Sequence, residues 1–147
     1  MKYSKKSLIG PHLGGLMKDH HLGAISYDVI VAVPLHISRL RERGFNQSQL
    51  LAEGLGKEIS PHIDKYILER VRPTGSQTGM SSKERRANVR GAFSLRSGAD
   101  VSGKRILLID DVYTTGATVK ECSKVLKKGG ASVVNVLTLA RVVEKNA

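Results

Sequence analysis

Two rhythms of apolar residues run along this chain: short unbroken runs, and longer stretches with an apolar side chain every third or fourth position. The runs are Tyr27 to Pro34, through Val29, Ile30, Val31, Ala32 and Val33, and Lys104 to Ile109, through Ile106, Leu107 and Leu108. Runs without polar interruption predict strands covered on both faces, as in parallel sheets. Ala131 to Ala140 predicts a last strand, and Tyr66 to Val71 and Ala92 to Leu95 predict two short ones. Helical spacing of Leu50, Leu51, Leu55 and Ile59 predicts a helix capped by Asn46 and ended by Ser60-Pro61. A second helix is predicted over Thr115 to Lys128, stopped by Gly129-Gly130. Leu8 to Leu22 also has a helical face, interrupted by Pro11 and glycines. Arg39 to Gly44 reads as a charged turn. Residues 72–90 read as a long polar loop, and so long a loop inside a compact domain is usually functional or mobile.

Strands alternate with helices, so the expected fold is α/β: one domain with a mostly parallel twisted sheet flanked by helices. A length of 147 residues fits one domain with one good core. Ligands of such sheets bind outside the carboxyl ends of the strands. Pro34 and Asp110 both stand at such ends.

Charge sharpens this. The formal net charge is +11, which points to polyanions, either nucleic acid or small ligands rich in phosphate. Aromatic residues make up only 4% and Trp is absent, so base stacking on aromatic platforms has thin support. The single cysteine, Cys122, excludes an internal disulfide or a cysteine zinc site and is expected to pack as a small apolar residue. The basic start, Met1 to Lys6, is followed by Pro11, His12 and three glycines rather than by the apolar region of a signal peptide. No run is long enough to cross a bilayer, and a cytoplasmic location without membrane insertion is the expectation.

One string carries the chemistry: Ile106-Leu107-Leu108-Ile109-Asp110-Asp111-Val112-Tyr113-Thr114-Thr115-Gly116-Ala117-Thr118. A strand leads into two acids, then a loop of hydroxyls and glycine, then a helix. Unpartnered first-turn amides and the positive end of the helix dipole make the loop an anion site. Gly116 lets the backbone approach a phosphate. The acids would repel a bare phosphate. They fit a ligand that carries vicinal hydroxyls beside its phosphate, because carboxylates accept hydrogen bonds from a diol. A ribose 5-phosphate satisfies both halves. Acids and Thr at a helix start also occur for capping alone. An acid pair at a strand end also occurs in phospho-acceptor domains, but that fold predicts neither a long basic loop nor hydroxyls after the acids.

The segment from Val33 to Gln47 places His36, Arg39, Arg41 and Arg43 just past the first strand, before the helix capped by Asn46. Three arginines in a turn are by themselves only a solvated basic surface. Placed at a strand end, their forks suit a diphosphate.

The acid–hydroxyl string resembles the phosphoribosyl pyrophosphate (PRPP) motif of type I phosphoribosyltransferases. Together with Arg43-Gly44-Phe45-Asn46-Gln47, with Arg70, Arg72, Thr74 and Gln77, and with the run Glu84 to Phe93, it is similar to the ComF/GntX branch, the competence-associated members. The resemblance covers essentially the whole chain. It implies that Asp110 and Asp111 hold the ribose, that Thr114, Thr115, Gly116, Ala117 and Thr118 wrap the 5-phosphate, and that His36, Arg39 and Arg43 form the pyrophosphate loop. Residues 72–90 become a lid with Arg72, Gln77 and Arg85 as contacts, excluding water from an oxocarbenium-like sugar. Residues 25–147 become the core and 1–24 a hood-like or helical remnant. Mg²⁺ would arrive on PRPP rather than in a protein cage. Asp110, Asp111 and His36 are the candidate catalytic groups, with no clear general base among them. The expected activity is transfer of the 5-phosphoribosyl group to an unidentified acceptor with release of pyrophosphate. The alternative is a non-catalytic competence or DNA-uptake accessory protein that binds single-stranded DNA and PRPP. Members of the branch commonly carry an N-terminal four-cysteine zinc segment, and this sequence starts where that segment would be over. Type I members often dimerise, so the resemblance also admits a homodimer.

Overall fold

The computed structural model describes residues 4–17, 25–59 and 62–143. Four strands form a parallel sheet: β1 (Val29–Ala32), β2 (His62–Ile63), β5 (Arg105–Tyr113) and β6 (Val133–Arg141), in the order β2-β1-β5-β6. Between β2 and β5 the chain makes an antiparallel hairpin of β3 (Leu68–Arg70) and β4 (Phe93–Leu95). The helices are α1 (Ser4–Leu16), α2 (Ile37–Arg43), α3 (Gln47–Ile59), α4 (Ser82–Val89) and α5 (Ala117–Lys128).

The apolar runs are continuous because both faces of the sheet are covered. Val29, Val31, Val33, Ile106 and Leu108 join the core beneath α5 and the hairpin, with Phe93, Val119, Cys122 and Leu126. The alternate residues Ile30, Leu107 and Ile109 face the opposite way and pack with Leu51, Ala52 and Leu55 of α3 and with Met17. Cys122 is fully buried, as a small apolar residue would be, and burial pushes its thiol pKa up. The glycines that interrupt α1 are part of its packing. A Cβ at Gly54 would stand 1.9 Å from the Pro11 carbonyl oxygen, and one at Gly14 would stand 2.1 Å from that of Leu51, so α1 crosses α3 backbone to backbone.

Four expectations change. The helix predicted over Leu8 to Leu22 starts earlier and ends at Leu16, and residues 18–24 lie outside the described residues. Arg39 to Gly44 is not a turn but the end of α2, capped by the His36 side chain and closed by left-handed Gly44. The polar stretch 72–90 contains helix α4, opened by a capping box between Ser81 and Glu84. Finally, β5 does not stop at Ile109. It continues through both acids to Tyr113, paired with β6 alone. The last register pair with β1 is Ala32 with Ile109, and Val33 N–H still donates to the Ile109 carbonyl.

This ending positions the site. From β1 the chain moves to β2 on one side, and from β5 to β6 on the other, so the sheet order reverses between β1 and β5. A crevice opens at that switch point, at the carboxyl ends of the two strands.

Candidate functional site

A cavity of about 360 Å³ fills this crevice. Its β1 side is lined by Val33, Pro34, His36, Arg39 and Arg43, its β5 side by Asp110, Asp111, Thr114 and Thr118, and its cover by Arg70, Thr74 and Gln77. Residues up to 85 positions apart in sequence, Val33 and Thr118, thus meet around one space.

Asp110 sits at the bottom and is 9% exposed. Its Oδ1 accepts from the Ser48 hydroxyl at 2.9 Å and from the Asp111 N–H at 2.9 Å. Burial, then the adjacent Asp111 charge, push its pKa up to about 7, with a side-chain hydrogen bond to Asp111 adding to the rise; the Ser48 hydroxyl and the Asp111 backbone N–H oppose it. Ser48 is itself buried and reaches Asp110 because Asn46 fixes the start of α3. The Asn46 Oδ1 accepts from Ser48 N–H at 3.0 Å, and its Nδ2 donates to the Val33 carbonyl at 3.0 Å.

The loop after β5 turns at Gly116, which has φ +77° and opens α5 without a side-chain cap. A Cβ there would lie 2.4 Å from the Tyr113 hydroxyl, so both the backbone conformation and the Tyr113 ring require glycine. Thr115 Oγ1 accepts from Ala117 N–H at 3.3 Å. Thr114 and Thr118 face the cavity, whereas Ala117 is buried in the core and Thr115 borders a separate cavity beside Arg86 and Arg141.

On the opposite wall, His36 Nδ1 lies 2.8 Å from the Ser38 hydroxyl and 3.3 Å from its backbone N–H, so the imidazole caps α2 as well as lining the cavity. Arg39 lies 3.6 Å from Glu42 across an exposed pair.

Residues 72–90, expected as a lid, form a folded flap. Gln77 Nε2 donates to Thr118 Oγ1 at 3.2 Å, which ties the flap to the start of α5. Asn88 Nδ2 donates to the Gly75 carbonyl at 3.1 Å, and Gly91 N–H to Glu121 of α5 at 3.0 Å. Arg72 and Arg85 are not among the cavity-lining residues in this arrangement. Arg72 donates to the Arg90 carbonyl at 2.5 Å, and the Nε of Arg85 is buried without a hydrogen-bond partner. The cavity instead receives Arg70, whose guanidinium donates to Thr74 and lies 5.2 Å from the Phe93 ring centre. Burial lowers the Arg70 pKa, and its Nε is buried without a hydrogen-bond partner.

Ser48 and Arg70 were not among the site residues expected from sequence. Ser48 has no local signature apart from lying two residues after the cap. Arg70 stands in a short strand and is brought over the acids only by the hairpin.

The phosphoribosyl transferase domain family matches residues 7–147. Competence protein F of Haemophilus influenzae is 41% identical over 116 residues, covering 78% of this chain and 50% of its own length. The DNA utilization protein YhgH of Escherichia coli is 36% identical over 147 aligned residues, covering 96% of this chain and 64% of its own. The chain therefore spans about half to two thirds of the length of these relatives. In fold it is similar to the glutamine PRPP amidotransferase from B. subtilis, with a TM-score of 0.60 at 24% identity over 88% of this chain and 26% of that one. With a parallel sheet of matching architecture and a family match across nearly its whole length, the chain belongs to the phosphoribosyl transferase domain family.

Proposed function

We propose that the crevice between β1 and β5 binds PRPP and that the chain transfers its 5-phosphoribosyl group to an acceptor, releasing pyrophosphate. The observation that supports this reading is one cavity with acids on one wall and arginines on the other. Asp110 and Asp111 accept from the ribose hydroxyls. Thr114 and Thr118, with the amides at the start of α5, hold the 5-phosphate. Arg39 and Arg43 take the diphosphate in bidentate contacts, and Arg70 adds charge from above.

Mg²⁺ would arrive on the diphosphate, which the arginines of the α2 segment would grip. The metal, when bound there, offsets the charge of the leaving group. As the nucleophile's lone pair forms a bond to C1 of the ribose, the C1–O bond to the diphosphate breaks and its electron pair leaves with pyrophosphate. The flap held by Gln77 keeps water from the electron-poor sugar. The chemistry belongs to the cytoplasm in this reading. The test is incubation with PRPP, Mg²⁺ and ammonia, glutamine or heterocyclic bases, following pyrophosphate. Release that requires one of these acceptors and is lost in D111N supports transfer. No PRPP uptake by calorimetry removes the reading.

A second reading follows from the relatives' names and from the exposed Arg41, Arg43, Arg86 and Arg90: a non-catalytic accessory protein that binds single-stranded DNA beside PRPP. It predicts PRPP binding without turnover. It also predicts a DNA affinity whose salt slope shrinks when Arg39, Arg41 and Arg43 are neutralised.

A further inference from the structure

We propose that Ser48 is a positioning residue for the ribose-binding acid: its hydroxyl bond to Oδ1 fixes the Asp110 carboxyl in one rotamer and leaves Oδ2 to the ligand. This deepens the PRPP reading and rests on it.

Three hydrogen bonds in series carry the inference. The Val33 carbonyl, at the end of β1, receives the Asn46 amide at 3.0 Å. The same Asn46 side chain accepts from Ser48 N–H at 3.0 Å. The Ser48 hydroxyl then donates to Asp110 Oδ1 at 2.9 Å, across 62 residues of sequence. The segment just past β1 is thereby coupled to the acid on the other wall. Both Ser48 and Asp110 are buried, and they are the two polar side chains so buried among the described residues. A buried serine needs a partner for its hydroxyl, but it could have used a carbonyl of its own helix. It reaches instead for a carboxylate.

The charged groups around Asp110 show why this matters. Asp111, on its own strand, disfavours the charge, as does burial. Arg70 of β3 favours it from the hairpin side, and Arg39 and Arg43 of the α2 segment line the same space. Cys122 of α5 lies behind, its thiol pKa raised by burial and by Asp110, so it stays neutral. Ser48 is the donor from α3. With Asp110 poised near neutrality, loss of one hydrogen bond to a charged group moves its titration by about one pH unit. The sign is fixed: Ser48 stabilises the ionised form, so removing it sends the midpoint upward.

The experiment compares wild type, S48A and S48T by ¹³C NMR of the Asp110 carboxyl and by calorimetry with PRPP and Mg²⁺ from pH 6 to 9. In S48A the carboxyl midpoint should rise by about one unit, and PRPP affinity at pH 6.5 should fall about tenfold while that at pH 9 stays within about threefold of wild type. S48T, which keeps the hydroxyl, should restore both. If S48A does not fold, S48C keeps the volume with a weaker donor and should shift in the same direction. An equal loss at every pH, or an unmoved midpoint, overturns the proposal, because a merely structural serine predicts that result. D110N separates the two levels. If D110N leaves PRPP affinity unchanged, the ribose assignment of Asp110 fails, and the functional role of Ser48 fails with it. If D110N abolishes binding while S48A behaves as wild type at pH 6.5, only the role of Ser48 fails.

Discussion

Asp110 shows the cost of an ionisable group in a core. Its pKa lies near 7 when folded against 3.8 as the ordinary value, because burial and Asp111 disfavour the charge more than Ser48 and the Asp111 amide restore it. The folded protein therefore holds a proton that the unfolded chain gives up. The stabilisation is complete below the unfolded pKa, declines as pH rises between 4 and 7, and is gone above it. An amide in the same place carries no such penalty. In D110N the Oδ1 still accepts from Ser48 and from the Asp111 N–H. We expect D110N to be more stable than wild type at pH 8 by up to about 4 kcal/mol, with the gain vanishing below pH 4. Urea titrations at the two pH values check this, and an equal or lower stability at pH 8 would show that the acid is not strained by its surroundings. The same substitution should weaken PRPP binding, which makes it a direct trade of function for stability.

At the scale of elements, what was legible in the sequence is what is buried. β1 and β5 read as unbroken apolar runs because core presses on both faces, and α3 and α5 show their stripes because each covers one. α2 buries no residue and α4 buries only Val89, so neither leaves an apolar rhythm. The capping box Ser81-Ser82-Lys83-Glu84 was the readable sign of α4. The extension of β5 through Asp110 was hidden because its pairing with β6 is a backbone matter that polar side chains do not report. The acids, hydroxyls and arginines that line the cavity were legible as contiguous strings beside strand ends, whereas Ser48 and Arg70 arrive from other elements and needed the fold. The glycines of α1 looked like interruptions of a helix, and Gly14 makes a crossing surface with Gly54 of α3. This gives a prediction with competing terms. G54A gains about 1 kcal/mol of helix propensity. It also drives a Cβ to 1.9 Å from the Pro11 carbonyl, a backbone atom that cannot rotate away. Overpacking of this kind costs about 1–3 kcal/mol, so the variant should lose stability and α1 should lift from α3. Thermal unfolding and amide exchange of residues 10–17 would report it. A gain in stability would mean that the two helices are not in backbone contact.

At the scale of the molecule, a net charge of +11 attracts any polyanion, and that general field has to be separated from recognition at one site. The acids make the separation by sign. Asp110 and Asp111 face the same cavity as Arg39, Arg43 and Arg70, so they subtract from the positive field inside it. A ligand without a diol meets only their repulsion, and one with a diol gains their hydrogen bonds. Neutralising both acids should then move two affinities in opposite directions. In D110N/D111N we expect PRPP with Mg²⁺ to bind at least about tenfold more weakly, since hydrogen bonds to two charged acceptors are lost. Inorganic pyrophosphate at low salt should bind as well or better, because the negative charge of the acids leaves the site. Raising KCl should erase the pyrophosphate gain, which is a screened Coulomb effect, and leave the PRPP deficit largely in place. Calorimetry with the two ligands at low and physiological salt measures all four values. A parallel change for both ligands would mean that the acids act only through the general field, and that the crevice between β1 and β5 does not distinguish a sugar phosphate from a bare anion.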